Sequence, residues 1–413
     1  MFGGGQMALN QLLVVMDGLD SPPFLRRIFV NRINTLLDAV YFVPHTIGRL
    51  RLRLAKPRPR AEQIYFIGAT NVPLAALDPA LTRPGRMGRH VDFRTPTKDD
   101  RRDIFDLYLG KVAHAPELDA PEARDELARI TSGYSPAMID QVCSLALTYA
   151  QFNGRARFDR GDLLEAMTTI ESGTAINVKY LPEEARATAI HEAGHAVCAH
   201  VFMKGSESTR LSIRMRGGSL GHHSTRERDE RFTHWRSEQE AQLVWGLGAM
   251  AAEHLFYGEN SSGVGGDVHS VTTRAGWMVG ACAMAPAPLE LPERVAGDED
   301  QEKALEKVEK RFEHIGLQIM RRTGTGGPFD GGDAFDGTYS DKDKRALAAQ
   351  FLGRAYLTAY AFVKANKDAV ERLAEALLEK KEIYGDELIR MLDHLELKRP
   401  AIDLLDEATW PKV

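Results

Sequence analysis

The sequence predicts a multidomain chain of mixed class: an α/β domain, a small helical domain, and a larger, mostly helical domain. Three observations carry this. At 413 residues the chain has room for two or three domains of about 100–200 residues. Its patterning changes near residues 95 and 175, from a mixture of helical and strand runs to helices with clear caps. One of the later helices carries His191-Glu192-Ala193-Gly194-His195, whose spacing puts two imidazoles on a single face.

Residues 1–95 supply the α/β part. Ala8 to Met16 is a helical run, and Ile64 to Gly68 is a short apolar strand leading into Ala69-Thr70-Asn71. Between them, Ser21 to Arg60 holds nine cations (Arg26, Arg27, Arg32, Arg49, Arg51, Arg53, Lys56, Arg58, Arg60) against one acid, Asp38. Apolar residues interleave with them, so an amphipathic helix contacting lipid or an acidic partner is one reading. The preferred reading is a solvated basic loop inserted in the domain.

Residues 96–172 form the small helical domain. Helices are expected at Lys98–Leu109, from the Ser135-Pro136 cap pair through Ala150, and at Asp159–Ile170. The third domain spans 178–400. Pro182 opens its first helix, with Glu183 and Glu184 complementing the positive end. Leu211–Arg216 alternates as a strand would, with Gly217-Gly218 as a turn and Leu220–Ser224 as its partner. A charged helix follows at Asp298–Arg322, then a glycine-rich loop over 324–332. Helices at Ser340–Ala365, Lys367–Lys380 and Gly385–Leu395 close the chain.

The composition excludes several classes. A net charge of −5 gives no push toward nucleic acid. Three scattered cysteines, Cys143, Cys198 and Cys282, argue for a reducing compartment and against a disulfide framework. No apolar run reaches about 18 residues, so no transmembrane helix is expected, and Gly3-Gly4-Gly5 stands where a secretory signal would be apolar.

The chemistry centres on His191 and His195. At about 3.6 residues per turn, both rings can reach one metal ion, and Glu192 lies beside the open position, where it can take a proton from metal-bound water. Gly194 costs on the order of 1 kcal/mol inside a helix, which makes sense if another backbone approaches closely. A catalytic zinc needs a third protein ligand. His200 lies roughly 140° round the helix from His195 and points elsewhere. Glu253 and Asp267 remain as equal candidates. Glu253 could instead be a carboxylate outside the ligand set, and Asp267 an N-cap for the run Val268–Val279. His222 and His223 are adjacent on a strand, so they cannot easily share one metal.

Taken together, these pieces resemble the C-terminal half of FtsH-type AAA+ zinc metalloproteases. The matching stretches are Leu9–Leu13 through Met16-Asp17-Gly18, Gly68–Asn71, Leu77–Leu81, Arg83–Arg89, Gly133–Ser135, His191–His195, Ala251–Glu253, Ser262–Asp267 and Leu373–Leu378. The resemblance implies a truncated AAA+ α/β core, a helical AAA+ lid and a mostly α-helical zinc metallopeptidase domain. It implies zinc on His191, His195 and Asp267, with Glu253 orienting a ligand and Glu192 as the base. It also implies a sensor at Asn71, and at Arg86 and Arg89 the arginines that reach a neighbouring subunit's nucleotide.

The departures set further expectations. No GxxxxGK(S/T) occurs, and Gly18 follows Asp17 where a catalytic glutamate would stand. ATP with magnesium belongs to the family, but this chain alone is expected neither to bind ATP well nor to hydrolyse it. Gly88 stands where the family usually has aspartate. The chain is then a fragment of a longer protein or one half of a split machine. Its expected partners are protein substrates, with a homo-hexamer or an upstream AAA+ half; its expected location is cytoplasmic, at the inner face of the cell membrane if the insert or absent segments reach lipid. A different class, a non-catalytic assembly module keeping a structural metal, is the alternative, but such a site has no need of Glu192.

Overall fold

The computed structural model describes the chain except residues 1–2, 20–23, 41, 58–64, 85, 177–179, 218, 230, 232, 288–297, 321–339, 403–405, 407, 409 and 412–413. It divides into two compact units, Met1–Arg94 and Thr95–Val413. The described residues are mostly helical, with two small antiparallel sheets. None of their helices is long and apolar enough to cross a membrane.

The first unit contains α1 (Gly3–Leu19), α2 (Phe24–Ala39) and a hairpin of β1 (Thr46–Ile47) and β2 (Leu50–Arg51). Over its described residues the basic insert is therefore a helix and hairpin rather than a loop. The reason lies in its apolar spacing: Val30, Ile33 and Leu37 recur at i, i+3 and i+7, and Val30 is buried. Asn34 exchanges two hydrogen bonds with the backbone of Leu54, at 3.0 and 2.9 Å, and Arg53 pairs with Asp38 at 2.6 Å. The sole acid of the insert is thus spent on holding the hairpin. The apolar run before Asn71 forms no strand over its described residues, and Ile67 is 96% exposed. A buried strand needs flanking strands to pair with, and the described residues of this unit offer only the two-residue hairpin.

The second unit begins with four helices around Phe105, Leu118, Leu127, Ile139, Phe158 and Leu163, all fully buried. Helix α3 (Lys98–Leu109) starts at a capping box, in which Thr97 accepts from Asp100 N and Asp100 accepts from Thr97 N. Helix α4 (Pro121–Ile130) was not anticipated. Helix α5 (Pro136–Phe152) is capped by Ser135, and α6 (Arg160–Ser172) by Asp159.

A larger core follows. It packs α7 (Pro182–Phe202), α8 (Arg236–Tyr257), α9 (Gly265–Gly280), α10 (Asp298–Ile319), α11 (Lys342–Ala365) and α12 (Lys367–Lys380) around Ile190, Val197, Leu247, Leu352 and Tyr356. Helices α7 and α8 cross where Gly194 meets Gly248. A β-carbon on Gly194 would lie 2.7 Å from Gly248 O, and one on Gly248 would lie 2.6 Å from Gly194 O. The glycine in the histidine motif is therefore required by a backbone-to-backbone approach.

Beside this core lies a sheet in the order β4-β3-β5: β3 (Ser206–Ser212), β4 (His222–Glu227) and β5 (Glu382–Tyr384). Leu211 faces His223 on one side and Ile383 on the other. The expected strand at 211–216 ends at Ser212; beyond it Arg216 and Ser219 exchange backbone hydrogen bonds of 3.1 and 2.9 Å across the expected glycine turn, where Gly217 takes φ +55°. A final helix, α13 (Gly385–Asp393), follows β5 directly.

The small helical bundle is tied to this sheet and α13 by ion pairs. Glu126 Oε1 accepts from Asp386 N at 2.9 Å and from Arg160. Arg129 reaches Asp125, Glu207 at 2.7 Å and Asp386 at 2.6 Å. Arg216 pairs with Glu165 at 2.8 Å and Glu382 at 3.5 Å.

Candidate metal centre

Three elements converge on one point: the middle of α7, the α8 segment behind it, and the first turn of α9. The two imidazoles of α7 stand with ring centroids 5.0 Å apart, nearly edge to face. Helix α9 begins at Gly265, so Asp267 sits inside its first turn and is not its N-cap. Its carboxylate faces both rings: Oδ2 is 3.2 Å from His191 Nε2, and Oδ1 is 3.4 Å from His195 Nε2. Among the described residues, His191, His195 and Asp267 are the one group whose ligand atoms gather as a metal would need, all within 4.8 Å of one another.

The other ring nitrogens are already engaged. His191 Nδ1 lies 2.8 Å from Glu253 Oε1, and His195 Nδ1 lies 2.8 Å from Trp245 O. A carbonyl and an ionised carboxylate only accept, so both Nδ1 atoms carry the proton. In the neutral rings, each Nε2 then aims a lone pair at an oxygen lone pair of Asp267. That arrangement repels unless a proton or a cation lies between. The separations of 3.2 and 3.4 Å match the edges of a tetrahedral zinc site, about 3.3 Å for bonds of about 2.0–2.1 Å. The residues present therefore fit a divalent ion.

Electrostatics point the same way. Burial alone would push His191 down, but hydrogen bonds to Asp267 and Glu253, with the nearby charge of Glu192, lift it to about 10. Burial would raise Asp267, yet the two histidines hold it well below the usual carboxylate range. Glu253 is also lowered on balance: burial works against it, while His191 and the Ser261 backbone favour its charge. Ser261 supplies two donors, its N–H at 2.7 Å and its hydroxyl at 3.0 Å.

Glu192, in contrast, is pushed up, chiefly by burial. It is 5% exposed and packed under Gly221, where a β-carbon would fall 2.5 Å from Glu192 Oε1.

The remaining sequence candidates are not members of this ligand group. His200 pairs with Asp393 at 3.3 Å. His222 is exposed and His223 buried, the opposite orientations expected of strand neighbours. His223 bonds Ser208 Oγ and accepts from Trp245 Nε1, each at 2.9 Å. Asn71 and Arg89 are exposed in the first unit, and the Arg86 guanidinium donates to Ala80 O at 2.6 Å. Sequence reasoning missed the Trp245 carbonyl, which no side-chain pattern can mark. It also missed Ser261 and Gly221, although a glycine directly before the His222-His223 pair was a readable hint.

Residues 179–321 match the model of peptidase family M41. The chain is 30% identical over 342 residues to the ATP-dependent zinc metalloprotease FtsH of Akkermansia muciniphila, covering 82% of this chain and 38% of that one. It is 29% identical over 395 residues to ATP-dependent zinc metalloprotease FtsH 4 of Sphaerobacter thermophilus, covering 94% and 50%. Against FtsH of Thermotoga maritima the identity is 27% over 396 residues, covering 94% and 54%. The chain is thus a relative of the FtsH-type zinc metalloproteases, as its motifs imply, and spans about half or less of the length of these relatives.

Proposed function

We propose that the chain is a zinc-dependent endopeptidase that works within an ATP-dependent proteolytic machine. The observation that carries this is the pair of Nε2 atoms converging on Asp267 while both Nδ1 atoms are held from behind. His191, His195 and Asp267 would hold the zinc. Bound there, it would polarise the scissile carbonyl and acidify water.

Glu192 takes the proton from the attacking water and passes it to the leaving nitrogen. Its raised affinity for protons suits a base that must be ionised before the step and protonated during it. Glu253 holds His191 in the tautomer that frees Nε2. We assign the chain three parts: residues 1–95 as a partial AAA+ core, 96–172 as its lid and 178–400 as the peptidase. Asn71, Arg86 and Arg89 would then serve a nucleotide bound with the help of another polypeptide segment, in a hexamer or with an upstream half. Proteins, unfolded or membrane-embedded, are the expected substrates.

Zinc content and casein hydrolysis of the purified chain, with and without ATP, test this. Glu192→Gln should retain one zinc per chain and lose hydrolysis by at least about a hundredfold. Hydrolysis at the parent rate in that variant would remove Glu192 from the mechanism.

A further inference from the structure

The partner of His195 differs in kind from that of His191. His191 is held by a carboxylate, which is itself fixed by two donors. His195 is held only by a main-chain carbonyl, that of Trp245 in the body of α8. A neutral carbonyl lends little charge, so its value lies in where it points. What fixes its place is the side chain of the same residue.

Trp245 donates its indole N–H to His223 Nδ1 at 2.9 Å. An indole can only donate, so His223 Nδ1 carries no proton, and its Nε2–H must face Ser208 Oγ, 2.9 Å away. His223 is 5% exposed and Ser208 equally so. The buried imidazole is thereby set in one tautomer between β3 and α8. The indole also lies against both imidazoles, with centroids 6.0 Å from His195 and 6.0 Å from His223. One residue therefore grips the metal-facing histidine with its backbone and the sheet with its side chain.

We propose that Trp245 and His223 are positioning residues for His195: the chain Ser208–His223–Trp245 anchors α8 to the sheet, so that the Trp245 carbonyl holds His195 as the Nδ1–H tautomer with Nε2 aimed at the metal position. This rests on the zinc reading given above. Neither residue touches the metal position, so their effect is read in how well the metal is held. Losing such an outer partner typically weakens metal binding about tenfold to a hundredfold.

The test uses the full chain, zinc itself as ligand, and cobalt as a spectroscopic substitute. Trp245→Phe keeps an aromatic ring and deletes the indole N–H; His223→Leu deletes both ring nitrogens. Each should weaken zinc about tenfold in a chelator competition and alter the visible bands of the cobalt form. His223→Gln offers an oxygen to the indole and an N–H to Ser208, so it should bind zinc close to the parent. A packing role alone would lower the melting temperature and leave zinc affinity and the cobalt bands as in the parent; that result in both Trp245→Phe and His223→Leu overturns the proposal. A parent chain that takes up no zinc overturns it together with the reading it rests on.

Discussion

Replacing Glu253 by glutamine tests the centre without touching a ligand. The glutamate accepts three hydrogen bonds: from His191 Nδ1 at 2.8 Å, Ser261 N at 2.7 Å and Ser261 Oγ at 3.0 Å. Glutamine has one oxygen and one NH2 group in the same space. Oε1 faces His191 and Oε2 faces the Ser261 N–H, so whichever way the amide turns, one donor meets another. Turned toward His191, the NH2 favours the tautomer with Nδ1 bare and Nε2 protonated, which blocks the metal position. Turned toward Ser261, it leaves a part-buried backbone N–H without an acceptor. A hydrogen bond to a charged group contributes about 1.5–3 kcal/mol, and an orphaned buried donor costs about 1–3 kcal/mol.

If most of this loss is felt by the metal-loaded form, zinc binding should weaken by about tenfold to a hundredfold. Competition with a chromogenic chelator, with the melting temperature followed with and without zinc, gives the number. A zinc affinity within about twofold of the parent would refute the claim that Glu253 sets the His191 tautomer.

Two further outcomes follow from the same geometry. In the metal-free chain, His191 is lifted to about 10. A raised folded value means its stabilising charge is complete below the unfolded value of about 6.5 and is lost as pH climbs through about 10. The melting temperature of chelated protein should therefore fall between pH 7 and 10, while that of the zinc form, with no proton at Nε2, falls less; parallel curves would contradict this. Gly221→Ala places a methyl 2.5 Å from Glu192 Oε1 and 2.9 Å from Thr188 Cγ2. The carboxylate must shift, so kcat should drop by about tenfold to a hundredfold with zinc content intact; an unchanged kcat would show that the Gly221 contact has no bearing on Glu192.

Where a helix begins at a side-chain cap, the sequence located it well. Ser135 caps α5 as its pairing with Pro136 predicts, and α3 starts at Lys98, behind a Thr97 cap. Helix α4 escaped because its apolar residues, Leu127 and Ile130, are diluted by charge, and two of those charged residues, Arg124 and Glu126, are themselves buried in ion pairs. The hairpin β3–β4 was legible in kind, and the glycine turn was placed correctly, with Arg216 and Ser219 bonded to each other across it; the strands β3 and β4 themselves stop at Ser212 and resume at His222. At the metal centre, helical spacing was enough to place His191 and His195 together. It could not separate Glu253 from Asp267, because both carboxylates approach His191, from opposite edges of its ring. Only tertiary packing distinguishes the edge that faces Nδ1 from the one that faces Nε2.

The ion pairs between the four-helix bundle and the sheet have a mechanical consequence. Glu126 and Glu207 are each less than 10% exposed, and stranding either buried charge would cost about 3–5 kcal/mol. Twisting the bundle against α13 must break several of these links together. The joint therefore resists independent rotation of the bundle, and its links land on Glu207 of β3 and Glu382 of β5, the central and edge strands of the sheet whose β3 also carries Ser208.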